Sequence, residues 1–168
     1  MIRILINHVN LNKINMTTAN IIKTYGDPGD TKNLTSIKLP YPMKIAWDTK
    51  TTVNSMMVHK LAADSLSKIF KEILATYTLP EIQRLGIDLF GGSYNFRQMR
   101  GGSDWSVHSW ALAIDLDPSR NSLKATSKTA QFAKPEYKKM IDIFYKHGWY
   151  SLGREKNYDW MHFQFVKP

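Results

Sequence analysis

Two stretches carry the residues able to do chemistry, SVHSWALAID (residues 106–115) and DWMHFQF (residues 159–165). Each sets a histidine among apolar neighbours with an aspartate close by, His108 with Asp115 and His162 with Asp159, in a chain that has only five histidines. A buried carboxylate or imidazole is costly unless something pairs with it. Two imidazoles and one carboxylate can bind a zinc ion and leave a fourth position for water. Such a set carries one negative charge against two positive, and the remaining charge lowers the pKa of a bound water towards ~7. The fourth residue, Asp159, would then be the general base that takes the water proton and passes it to a leaving amine. The plainer alternative is that each histidine is a surface residue or a hydrogen-bonded core residue, and an aspartate near a histidine is common by chance. A serine triad built on Ser106 and His108 has no Gly-x-Ser-x-Gly elbow to support it. The chain has no cysteine, so any metal must be held by His, Asp and Glu.

The elements around these stretches decide whether the four residues can meet. Residues 56–77 place Ala62, Leu66, Ile69, Phe70, Ile73, Leu74 and Tyr77 at spacings of three and four, which predicts a helix with one buried stripe that stops at Pro80. A second helix is expected from Pro135, with Tyr137, Met140, Ile141 and Phe144 inward and Gly148 at its end. Residues 87–92, 111–117 and 161–166 read as short strands. Alternation puts Ile114 and Leu116 on one face and Asp115 on the other; in the last strand Phe163 and Phe165 face the core and His162 shares the other face with Gln164. His108 and Asp115 are seven apart and would lie on opposite faces of a continuous strand. They converge only if His108 sits on a turn feeding the strand, and Asp159 reaches the same site only if the chain turns at residues 158–160. The pattern is α+β: a small, mostly antiparallel sheet with helices packed on one side and the candidate site on the open polar face.

At 168 residues the chain suits a single domain, and residues 1–55 are expected to pack on it as an N-terminal arm, with turns and extended segments over residues 25–44. The net charge of +9 favours polyanionic partners such as nucleic acid, anionic lipid or a bacterial envelope. The basic residues are spread, without a run of five, and no nucleic-acid-binding motif occurs, so no nucleic-acid partner is expected. No stretch approaches ~20 apolar residues, so no integral membrane contact is expected. The N-terminus lacks an uninterrupted apolar region with a cleavage site, which reads as a chain made in the cytoplasm without a signal peptide. His8, His59 and His147 have no matching partner and read as structural or exposed.

Ser-x-His, then Ala-x-Asp, and later a carboxylate three residues before a final histidine is an ordered pattern. It resembles the zinc D-alanyl-D-alanine carboxypeptidase and L-alanyl-D-glutamate endopeptidase family, which includes many bacteriophage endolysins, and whose fold the hedgehog signalling domain shares. The resemblance covers about residues 86–166 as the catalytic core. It implies one Zn2+ held by His108, Asp115 and His162, with Asp159 as catalytic base. The family glycine falls at Ala111, which puts the loop geometry in question but removes no ligand. In GGSYNFRQMRGG (residues 91–102), Arg97 matches the family's arginine as a catalytic, carbonyl-polarising residue, with Arg100 the runner-up and a substrate contact. Ser106, Trp110 and Trp160 are expected to touch substrate, the tryptophans as walls of a peptide groove, with Tyr94 a further candidate. Asp117 reads either as a partner of a ligand histidine or as the turn that ends its strand. The resemblance implies a monomeric peptidase acting on the peptidoglycan stem peptide, an L-alanyl-D-glutamate endopeptidase that reaches the wall after release. A D-alanyl-D-alanine carboxypeptidase and a non-catalytic zinc-containing wall-binding domain are the alternatives.

Overall fold

A computed structural model describes residues 17–168 of the chain; His8 and the first sixteen residues of the expected arm lie outside that range. Among the described residues the sheet has six strands in the order β2-β1-β3-β4-β6-β5. These are β1 (Leu34–Ile45), β2 (Asp48–His59), β3 (Leu89–Gly92), β4 (Ala113–Leu116), β5 (Tyr150–Ser151) and β6 (His162–Gln164). Every pairing is antiparallel except β1 with β3, so the α+β, mostly antiparallel expectation describes the molecule. The helices are α1 (Thr18–Tyr25), α2 (Ala63–Thr76), α3 (Leu79–Leu85), α4 (Lys138–Lys146) and α5 (Leu152–Lys156). None among the described residues is long and apolar enough to cross a membrane.

The main helix is shorter than its stripe suggests. Leu66, Ile69, Phe70 and Ile73 are its buried face, as the spacing predicts, but residues 56–59 belong to β2, where Met56 and Val58 are buried at strand period. Pro80 does not simply stop α2. It stands in the first turn of α3, where its missing N–H costs nothing, and Thr78 and Glu81 close a capping box around it. Within the stretch expected as an arm, β1 buries Ile37, Leu39, Tyr41 and Met43 in the common core. Pro40 and Pro42 hide this strand from sequence reading. They fall inside the register shift between Lys38 and Met43, where ladder donors are not needed.

The strands that matter for chemistry are β4 and β6. Ile114, Leu116 and Phe163 are fully buried, and Phe163 stacks on Phe144 of α4 with ring centroids 4.1 Å apart. Anchoring that apolar face fixes the register Ile114↔Phe163, and the next pair along is Asp115↔His162. A slip of β6 by one residue would turn His162 and Gln164 into the core.

Lys146 and His147, at the end of α4, each lie 2.7 Å from a carboxylate oxygen of Glu72 in α2. Their hydrogen bonds, Lys146 first, hold the Glu72 carboxyl below its ordinary range. A carboxylate with a lowered folded pKa contributes stability above its unfolded pKa of about 4.3 and loses it as pH falls through the folded value. Glu72→Gln is therefore expected to cost about 0.5–1 kcal/mol at pH 7. The difference from wild type should vanish in acid, as checked by urea unfolding at several pH values.

Candidate metal centre and catalytic cavity

His108 reaches Asp115 because the chain turns first. Ser106 caps a 3-10 turn over Val107–Trp110, its Oγ accepting from the His108 N–H at 3.4 Å. Ala111 closes the turn in the left-handed region at φ 50°, a conformation that favours glycine. The methyl is accommodated and the turn delivers the chain into β4. Gly91 packs under Asp115: a Cβ there would stand 3.1 Å from the Asp115 Cβ and 3.0 Å from Pro118. On the other side the chain turns through Asn157 (φ 57°) and Asp159 (φ 54°) before β6 begins. Asn and Asp are the non-glycine residues that best tolerate this region.

The donor atoms of His108, Asp115 and His162 lie within 4.8 Å of one another, so these residues could hold a metal ion. His108 Nε2 is 3.3 Å from Asp115 Oδ2, and His162 Nδ1 is 3.2 Å from Asp115 Oδ1. The far side of each ring fixes its tautomer. His108 Nδ1 lies 2.8 Å from the Ser93 carbonyl and must donate to it. His162 Nε2 lies 2.9 Å from Gln164 Oε1, and Gln164 Nε2 in turn donates to the Val166 carbonyl at 2.8 Å. Neutral imidazoles held this way aim both remaining lone pairs at a carboxylate. Lone pairs facing oxygens at 3.2–3.3 Å repel unless positive charge lies among them. A proton on His162 Nδ1 relieves one contact; a divalent cation relieves both. Zinc bonds of about 2.0–2.1 Å at tetrahedral angles set neighbouring donors ~3.3 Å apart, so the distance of each imidazole from the carboxylate, the donor types and the tautomers fit such an ion.

The titration behaviour has the same origin. Burial works against charge on Asp115, but the two imidazoles outweigh it and hold the carboxyl far below its ordinary range. Burial also opposes a proton on His162, yet hydrogen bonding to Asp115 and the nearby carboxylates raise its pKa. Asp159 moves the other way. Burial pushes its carboxyl up and Asp115 repels its charge, the His162 and His108 imidazoles and the Arg100 guanidinium pull it down, and the net shift is upward. Its backbone N–H donates to the Leu123 carbonyl at 3.0 Å and its carbonyl accepts from the His162 N–H at 3.0 Å. Its Oδ1 is buried without a hydrogen-bond partner. The result is a proton-accepting carboxyl held rigidly by its backbone.

These four residues open on one cavity of about 230 Å³. Met99, Val107, Leu123, Leu152, Tyr158 and Met161 give it apolar walls, and Arg97, Arg100 and Ser106 also line it. Arg97 and Arg100 arrive on a short hairpin, held by Ser106 N–H to the Arg97 carbonyl and Met99 N–H to the Asp104 carbonyl. The tryptophans are a correction: neither Trp110 nor Trp160 lines the cavity. Trp110 is buried and its indole N–H donates to the Gly26 carbonyl at 2.7 Å, tying the turn to the end of α1. Trp160 is buried against Gly153, where even a Cβ would collide with the indole. The groove aromatic is Tyr158, next to Asp159. Tyr94 lies outside the cavity. Asp117 takes the strand-ending role, at φ 46° and paired with Arg120. His59 is buried between the Tyr25 carbonyl and the Leu61 N–H, and His147 serves the Glu72 pair.

Ser93 and Gln164 are the functional partners that residue spacing alone does not single out. Ser93 acts through its carbonyl, which any residue could supply. Gln164 shares a strand face with His162, and that alternation is the usable signal. Gln164→Leu is expected to weaken zinc binding about 10–100-fold, measured by competition with a chromophoric chelator.

Comparison with known proteins adds one finding. Residues 100–165 match the model of the D-alanyl-D-alanine carboxypeptidase family. The matched segment is under half of the chain, yet it contains His108, Asp115, Asp159 and His162; Arg97 lies just before it. No curated protein and no solved structure gives a significant match. The match makes this segment similar to that family.

Proposed function

We propose that the protein is a zinc peptidase that hydrolyses the L-alanyl-D-glutamate bond of the peptidoglycan stem peptide and serves as a bacteriophage lysis enzyme. The observation that carries the peptidase chemistry is the pairing of two tautomer-fixed imidazoles around Asp115 with a buried Asp159, its Oδ1 without a hydrogen-bond partner, in the same cavity. His108, Asp115 and His162 would hold the zinc ion, which supplies Lewis acidity at the carbonyl under attack. Asp159 accepts the proton of the attacking water and returns it to the departing amine. Arg97 stabilises the oxyanion as charge develops, and Arg100 and Ser106 hold the peptide against the apolar walls. A pure binding domain has no use for the Asp159 carboxyl in that position. The enzyme would act as a monomer on the wall after release from the cell that makes it.

A D-alanyl-D-alanine carboxypeptidase is the second reading, favoured by the description of the matching family and by two arginines lining the cavity, either of which could hold a terminal carboxylate. Mass spectrometry of fragments from purified peptidoglycan separates the two. The endopeptidase exposes a new glutamyl amino terminus, the carboxypeptidase removes one terminal alanine, and an undigested wall contradicts both.

A further inference from the structure

Residues 118–134 contain four cations, Arg120, Lys124, Lys128 and Lys134, and no carboxylate. Part of this loop forms an open basin of about 420 Å³ separate from the catalytic cavity, with Ser119, Arg120, Ser122, Lys124 and Thr129 on its walls. The loop is preformed: the Gln131 N–H reaches the Arg120 carbonyl, the Ala125 N–H reaches the Ser122 carbonyl, and Asn121 Oδ1 accepts from the Phe132 N–H at 2.7 Å. The Arg120 fork is already taken. Its Nε and Nη2 both lie 2.6 Å from Asp117 Oδ2, and Nη2 also donates to the Leu85 carbonyl at 3.0 Å. Planar, bidentate recognition of a carboxylate is therefore closed off. Lys124 is exposed and its ammonium has no ion pair or hydrogen bond among the described residues; the Ser122 hydroxyl is likewise uncommitted. A point charge beside a hydroxyl donor suits a tetrahedral oxyanion better than a flat one.

We infer that this basin binds a phosphate group of a phosphodiester-linked anionic polymer, with Lys124 supplying the charge and Ser122 a donor. Lys128 and Lys134, on the same acid-free segment, extend the positive field to neighbouring phosphates. Leu123, between the two binding residues, lines the catalytic cavity, and its carbonyl holds the Asp159 N–H. The basin thus lies directly behind one catalytic wall, and a polymer held there would keep the enzyme on its wall. That use rests on the peptidase reading; the binding itself does not.

The test is an amide NMR titration of the zinc-loaded full chain with inorganic phosphate and with a poly(glycerol phosphate) oligomer, for wild type and for Lys124→Glu. Saturating shifts confined to residues 119–129 are expected, with the oligomer at least about tenfold tighter than phosphate and the response lost in the variant. Lys124→Glu should hydrolyse a soluble stem peptide within about twofold of wild type while releasing fragments from phosphodiester-bearing walls several-fold more slowly. An absent response, one that survives Lys124→Glu, or an oligomer no tighter than phosphate would overturn the inference. Failure of the wild type to cut the soluble peptide, with the shifts intact, would count against the peptidase reading alone.

Discussion

Asp159→Asn is expected to lower turnover of a stem-peptide substrate by about 10²–10⁴-fold while leaving the zinc content unchanged. Asparagine keeps the shape of the side chain and tolerates the left-handed backbone at φ 54°, so the N–H to the Leu123 carbonyl and the carbonyl to the His162 N–H should survive. Alanine would be a poorer probe, because it adds backbone strain to the lost carboxyl. Asp159 contributes no donor atom to the three-residue group, so metal should still bind. What disappears is the capacity to take up a proton. Burial already raises the Asp159 pKa, which means that its charged form is disfavoured in the fold, and its removal should not lower the melting temperature. Steady-state kinetics with metal analysis on the same sample checks both halves. Normal turnover in the variant would remove Asp159 as the base.

His162→Ala should have the other large effect, on metal affinity and activity together. The substitution removes one of two imidazoles that compensate the buried Asp115 carboxylate. Zinc affinity is expected to fall by more than the ~10–100-fold predicted for the loss of Gln164, since a ligand rather than its support is gone. Wild-type activity should disappear on chelation and return with added zinc, whereas His162→Ala should stay inactive at the zinc level that restores wild type. Asp159→Asn by contrast keeps zinc and loses turnover. The two variants separate metal loading from proton transfer.

Much of the site was legible because its chemistry is carried by side-chain types that are expensive to bury. His108, Asp115 and His162 converge, and the odd spacing of the first two correctly required the turn that Ser106 and Ala111 form. The Phe163 and Ile114 alternation gave the faces of β4 and β6. The first half of the chain was harder to read. Prolines at 40 and 42 masked a long strand, and an apolar stripe continuous with α2 concealed the end of β2. Aromatic residues misled as well. Trp110 and Trp160 neighbour the ligands in sequence, but their indoles pack in the core, because a large apolar ring gains more there than on a wet groove wall. Support from the Ser93 carbonyl leaves no trace in residue type.

The central claim is that two distant segments of the chain close around one divalent ion. Anomalous diffraction at the zinc edge, from crystals of the zinc-loaded protein, tests it most directly. A single peak per chain is predicted, bonded to His108 through Nε2, His162 through Nδ1 and the Asp115 carboxylate, with Asp159 beside it and unbonded. A peak elsewhere, or a fully zinc-equilibrated protein with no density between the two imidazoles, would contradict the account.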